Sequence, residues 1–162
     1  MAQARTSLET IQDFLAHQRI AMVGISRDEQ SFSASLFKEL SRRGYDVAPV
    51  NPKVKAVMGR NCVARVQDLE PPVQGALLMT SPAVTDLVVA DCAEAGIKHV
   101  WMYRAGGQGA VSDKAIEFCR ERGIQVVAGE CPLMFLPGSG GIHGFHGLIR
   151  KLTGRYPRQV HT

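Results

Sequence analysis

The 162 residues suffice for one domain with a buried core, and 45% hydrophobic against 21% charged residues is the balance of a globular chain. No stretch approaches the roughly 20 apolar residues that span a bilayer, and the segment from Met1 to Gln18 lacks the apolar run of a signal peptide, so a cytoplasmic protein without a membrane partner is expected. The net charge of +4 is scattered, grouping only at Arg150, Lys151, Arg155 and Arg158, and no zinc-type or aromatic-rich motif accompanies it, which argues against nucleic acid.

In chain order, Thr6 and Glu9 stand at capping-box spacing, and Leu8, Ile11, Phe14 and Leu15 form one apolar stripe; a helix is predicted over 7–17. The run from Arg19 to Ile25, continuous and apolar and ending in glycine, reads as a buried parallel strand. After a polar turn, Phe32, Leu36, Phe37 and Leu40 give a helix face closed by Gly44. A second strand covers Asp46 to Val50 and stops at Asn51-Pro52, followed by an irregular crossover over 53–73 with one helical turn near Val66–Leu69.

Gly75 to Met79 is the third strand, and Ser81-Pro82 is a favourable helix start. That helix is expected to turn Val84, Leu87, Val88 and Cys92 inward and to end at Gly96. His99 to Met102 is the fourth strand, Ser112 caps a helix reaching Gly123, and Ile124 to Ala128 is the fifth. A glycine-rich link, Gly138 to Gly141, precedes a short helix near His143–Leu152. Strands alternating with helices imply right-handed crossovers and a parallel sheet covered on both faces. The fold class is α/β, a Rossmann-like doubly wound sheet of about five strands in one domain spanning 1–162, with a core over 8–137 and an extension over 138–162.

In such a sheet the ligand lies across the carboxyl ends of the strands. The residues to weigh are Gly24-Ile25-Ser26-Arg27, Pro49 to Lys53, Thr80-Ser81-Pro82, Arg104-Ala105-Gly106-Gly107 and Gly129 to Pro132. The first loop keeps one glycine, Gly24, of the three in a dinucleotide fingerprint. Where an NAD site places an acid for the ribose hydroxyls, this chain has Asn51 between prolines, then Lys53 and Lys55. A cation there suits a ribose-linked phosphate, which both NADP and coenzyme A carry; two solvated lysines on a rigid turn are the plain alternative.

Val23 to Ser26, Pro49 to Lys53, the Ser81-Pro82 turn, the strand at Trp101 and the Cys131-Pro132 loop occur in this order with a spacing that resembles the small bacterial CoA-binding domain proteins. Those proteins are similar to the N-terminal domain of the succinyl-CoA synthetase alpha subunit, and the resemblance covers residues 8–137. It implies coenzyme A or an acyl-CoA as ligand. Gly24 and Ser26, with Arg27, would approach the pyrophosphate; Val50, Asn51, Pro52 and Lys53 would form the adenine and ribose-phosphate end. Thr80, Ser81 and Pro82 would line the pantetheine path, Gly106 and Gly107 would let it pass close to the backbone, and Cys131 would sit near the thiol.

A disulfide between Cys131 and coenzyme A would need an exposed thiol with thiolate character; an unreactive loop cysteine is the other reading. None of the four cysteines forms a CxxC pair, so reduced thiols are expected, and Cys92 and Cys119 fall on apolar helix faces. His143 and His146, with Glu130 and Cys131 upstream, make a weak metal signal, and no metal site is assigned. Neither a nucleophile elbow nor a GxxxxGK[ST] loop occurs. In the synthetases, acyl transfer requires a phosphohistidine-bearing domain and a nucleotide-grasping partner, for which this chain has no room. A CoA-binding carrier, sensor or regulatory module is therefore expected, with an NAD(P)-binding oxidoreductase or redox sensor as the alternative and a scaffold with a vestigial pocket as a third reading. A homodimer, or a partner enzyme of acyl-CoA chemistry, stays open.

Overall fold

The computed structural model describes residues 6–105 and 107–137. Gly106, the glycine-rich link, His143, His146 and the expected helix near 143–152 lie outside them.

Helix α1 (Leu8–Leu15) leads to strand β1 (Arg19–Val23), helix α2 (Phe32–Arg42) and strand β2 (Asp46–Val50). A small hairpin, β3 (Ala56–Val57) and β4 (Arg60–Asn61), precedes β5 (Gly75–Leu78), α3 (Pro82–Glu94), β6 (His99–Met102), α4 (Asp113–Glu121) and β7 (Gln125–Ala128). The main sheet has five strands in the order β2-β1-β5-β6-β7, every pair parallel. This is the expected Rossmann-like α/β sheet. The chain steps from β1 outward to β2, then returns across β1 to β5, so the strand order reverses between β1 and β5.

Alternation along each strand divides the core. Ala21, Val23, Leu78, Val100 and Met102 pack under Val88, Val89, Cys92 and Cys119 of α3 and α4. Ile20, Met22, Val47, Leu77 and Trp101 face Ile11, Phe14, Leu36, Phe37 and Leu40 of α1 and α2. Trp101 is fully buried, its indole N–H donating to the Glu130 carbonyl at 2.8 Å and its ring edge-on to Phe14 at 5.2 Å. The aromatic body fills the core while its one polar atom is satisfied.

Several local expectations are corrected. Ser7, not Thr6, caps α1, accepting from the Thr10 N–H at 3.1 Å; the Thr6 hydroxyl instead accepts from the Ala128 N–H, tying the start of the chain to the end of β7. The crossover over 53–73 holds the β3–β4 hairpin, whose turn places both Met58 and Gly59 at positive φ. On α3, Val88 and Cys92 point inward, but Val84 and Leu87 are exposed, and Thr85 takes a buried place. Its hydroxyl lies 3.0 Å from the Ser81 carbonyl and 2.8 Å from the Ala110 carbonyl, so its one proton always has an acceptor, which makes a polar side chain acceptable there. Phe32, the first residue of α2, is exposed rather than in the core. No helix among the described residues is long and apolar enough to cross a membrane.

Candidate functional site

Because the five strands are parallel, the loops that follow them share one edge of the sheet. At the reversal point the fit is tight. Gly24 has φ +86, its N–H donates to the Val50 carbonyl, and a Cβ on it would stand 2.8 Å from the Met79 carbonyl oxygen. Only glycine meets both demands, the left-handed backbone and the closeness of the β5 end.

The β1–α2 loop is held by its own serines. The Ser26 N–H donates to Ser33 Oγ at 2.9 Å, the Ser26 hydroxyl accepts from the Asp28 N–H at 3.0 Å, and Ser31 caps α2 through the Ala34 N–H. Arg27 is exposed beside it. At the end of β2, the Asn51 side-chain amide donates to the Ile25 carbonyl at 2.8 Å, and its oxygen accepts from the Lys53 N–H at 2.9 Å. Val50 is buried; Pro52 and Lys53 are exposed. Asn51 therefore joins the first two loops, while the Lys53 ammonium projects at the surface.

After β5, the hydroxyls of Thr80 and Thr85 lie 2.7 Å apart, and Ser81 caps α3 with Pro82 in the first turn. After β6, Tyr103 packs on Phe32, ring centroids 5.4 Å apart, so an aromatic pair links the start of α2 to the fourth loop. Gly107 is exposed in the loop that follows. Cys131, beyond β7, is 1% exposed, and burial pushes its thiol up, outweighing the backbone N–H groups of Leu133 and Met134 and the Tyr103 hydroxyl that pull it down. A buried, protonated thiol lacks the access and the thiolate character that a disulfide with coenzyme A requires. Burial likewise raises the thiol of Cys92 to about 12 and that of Cys119 to about 11, as befits core residues. Among the described residues no group of three metal-ligating side chains converges.

The sequence-predicted residues thus fall on one edge, apart from Gly106, which is not described. Sequence reasoning did not single out the Phe32–Tyr103 pair or the placement of Arg104, whose guanidinium lies against Gly129. Both depend on β6 lying two strands from β1 and next to β7, which no local pattern encodes. This edge thus carries the tight Gly24 turn at the reversal point and an exposed cation, Lys53, with no acid in the β2 loop.

A protein-family model described as a CoA binding domain matches residues 18–137. The chain belongs to the CoA binding domain family. The matched span runs from β1 through the last described residue and takes in every strand end discussed above. Among characterised relatives of this family, an acetate–CoA ligase (ADP-forming) of Methanocaldococcus jannaschii is 24% identical over 116 residues, which is 69% of this chain but 16% of that enzyme. The chain is thus homologous to one domain of a much larger ligase. An uncharacterized protein of Bacillus subtilis is 25% identical over 114 residues and is covered over 82% of its length. A solved structure of a hypothetical protein from Pyrococcus horikoshii superposes with a TM-score of 0.73 at 28% identity, covering 83% of this chain and 96% of that one.

Proposed function

We propose that this chain binds coenzyme A or an acyl-CoA across the carboxyl ends of its strands, as a carrier, sensor or regulatory module rather than as a complete enzyme. The observation that carries the reading is the end of β2, where a CoA-binding family member presents Lys53 and no carboxylate. The 3′-phosphate of coenzyme A is paired with Lys53, beside Val50, Asn51 and Pro52. The pyrophosphate crosses Gly24 at the reversal point, near Ser26 and Arg27. The pantetheine arm then runs past Thr80, Ser81 and Pro82 toward Gly107, with Cys131 buried beneath its far end. Asn51 and Ser26 serve this site chiefly by shaping it, since their side chains are engaged within the protein. Homology to one domain of acetate–CoA ligases supports a partner enzyme of acyl-CoA chemistry.

Calorimetric titration with coenzyme A, dephospho-CoA, NAD and NADP tests this reading. Coenzyme A is expected to bind most tightly, and Lys53→Ala to weaken it about tenfold while leaving dephospho-CoA nearly unchanged, the scale of one charge-assisted hydrogen bond. Tight NADP binding with no response to coenzyme A would overturn the reading, and equal losses for both CoA forms would remove Lys53 from the phosphate.

A further inference from the structure

The loop after β6 carries a cation that the reading above leaves without a role. It closes where the Ala110 N–H donates to the Tyr103 carbonyl at 2.8 Å. Within it, Arg104 is half-buried and its guanidinium is laid against Gly129, the residue after β7. A Cβ at Gly129 would stand 2.7 Å from Nη2 and 3.0 Å from Cζ and Nε of Arg104. A Cβ at Gly109 would come within 3.0 Å of the Arg104 Cα. Glycines from two loops thus leave the space this arginine fills.

Among the described residues, the other half-buried arginines have carboxylate partners: Arg19 and Arg60 both meet Asp46, and Arg43 meets Glu39. Among the described residues, no such ion pair involves Arg104. A half-buried arginine whose guanidinium is held at a ligand-bearing edge is suited to an anion that arrives with the ligand, and its planar fork matches a carboxylate in two-pronged fashion.

Position selects which anion. Strand neighbours lie about 4.8 Å apart, so three steps from β2 to β6 place Arg104 roughly 14 Å along the edge from the Lys53 loop. On the CoA reading, on which this inference rests, the phosphates occupy the β2–β1 end and the thiol reaches β6 and β7. The adjoining Phe32–Tyr103 pair offers an apolar wall for methylene groups. We propose that Arg104 binds the terminal carboxylate of a dicarboxylic acyl group, and that the chain prefers thioesters of malonyl to glutaryl size over acetyl-CoA.

Titration of the wild-type chain, Arg104→Gln and Arg104→Lys with coenzyme A, acetyl-CoA, dephospho-CoA and succinyl-CoA tests this, with thermal melts confirming that each variant folds. The wild type is expected to bind succinyl-CoA about tenfold more tightly than acetyl-CoA, a difference abolished by Arg104→Gln and partly kept by Arg104→Lys. Coenzyme A and acetyl-CoA should hold their affinity within about twofold in both variants, since no charged contact to them is lost. Equal wild-type affinity for acetyl-CoA and succinyl-CoA overturns this inference alone. So does a loss of coenzyme A affinity in Arg104→Gln as large as that of succinyl-CoA, which would put the guanidinium on the ligand's own phosphates. Failure of the wild type to bind coenzyme A at all overturns the functional reading with it.

Discussion

The side-chain amide of Asn51 reaches from the end of β2 to the carbonyl of Ile25, 2.8 Å away, and so locks together the first two loops at the carboxyl edge of the sheet. Ile25 is fully buried, and the same Asn51 side chain accepts from the Lys53 N–H, which fixes the turn that presents the lysine. Asn51→Ala leaves a buried carbonyl without this donor and is expected to cost about 1–3 kcal/mol of stability. Urea denaturation should show a lower midpoint with unchanged slope. Coenzyme A affinity should fall as well, although the Asn51 side chain is spent inside the protein.

Gly24 combines a left-handed backbone with a Cβ position 2.8 Å from the Met79 carbonyl oxygen. Gly44 shares the backbone, at φ +96, but has nothing within 4 Å of its Cβ position. Alanine at Gly44 should therefore cost only the left-handed penalty of about 1–2 kcal/mol. Alanine at Gly24 should cost clearly more in the same urea titration, because β1 and β5 must also move apart. Similar losses at the two positions would mean that the reversal point tolerates a side chain.

The opposite edge of the sheet holds a pH-sensitive contact. His17 Nε2 and His99 Nδ1 are 2.8 Å apart, with Phe14 packed edge-on against His17 and Asp13 nearby. Burial, then the His99 ring, lowers the pKa of His17 below its ordinary 6.5, against a smaller pull upward from Asp13. The unfolded chain then takes up the proton more readily, so this contribution is complete above pH 6.5 and is lost as pH falls below it. Asp46 and Asp91 are held low by arginine partners, so their contributions persist until pH falls past the ordinary aspartate value of 3.8. Urea midpoints should drop between pH 7.5 and 5.0, roughly the span over which an unperturbed histidine titrates. The drop should be smaller in His17→Gln, whose amide can still bond His99; an identical drop would assign it to other groups.

The alternation of strand and helix was legible because each strand carries a short apolar run and each helix a capping serine or a closing glycine. What escaped was non-local. The β3–β4 turn uses Met58 where an asparagine or glycine would have signalled the left-handed backbone. Helix α3 is apolar on several sides, so its sequence allows more than one inward face; the carbonyls of Ser81 and Ala110 settle it in favour of Thr85. The strand-end loops of the site could be located from sequence, but the engagement of Asn51 with Ile25 and of Arg104 with Gly129 appears only when distant loops are brought to one edge.

The most direct measurement of the central claim is amide chemical-shift mapping of the isotopically labelled protein during titration with coenzyme A. The largest saturable shifts are expected at Gly24 to Arg27, Asn51 and Lys53, Thr80 and Ser81, and Gly107 to Gly109. The amides of Arg19, Asp46, Arg60 and His99, toward the amino ends of the strands, should stay nearly still. Saturable shifts concentrated at that amino edge, or none at the carboxyl edge, would contradict the account.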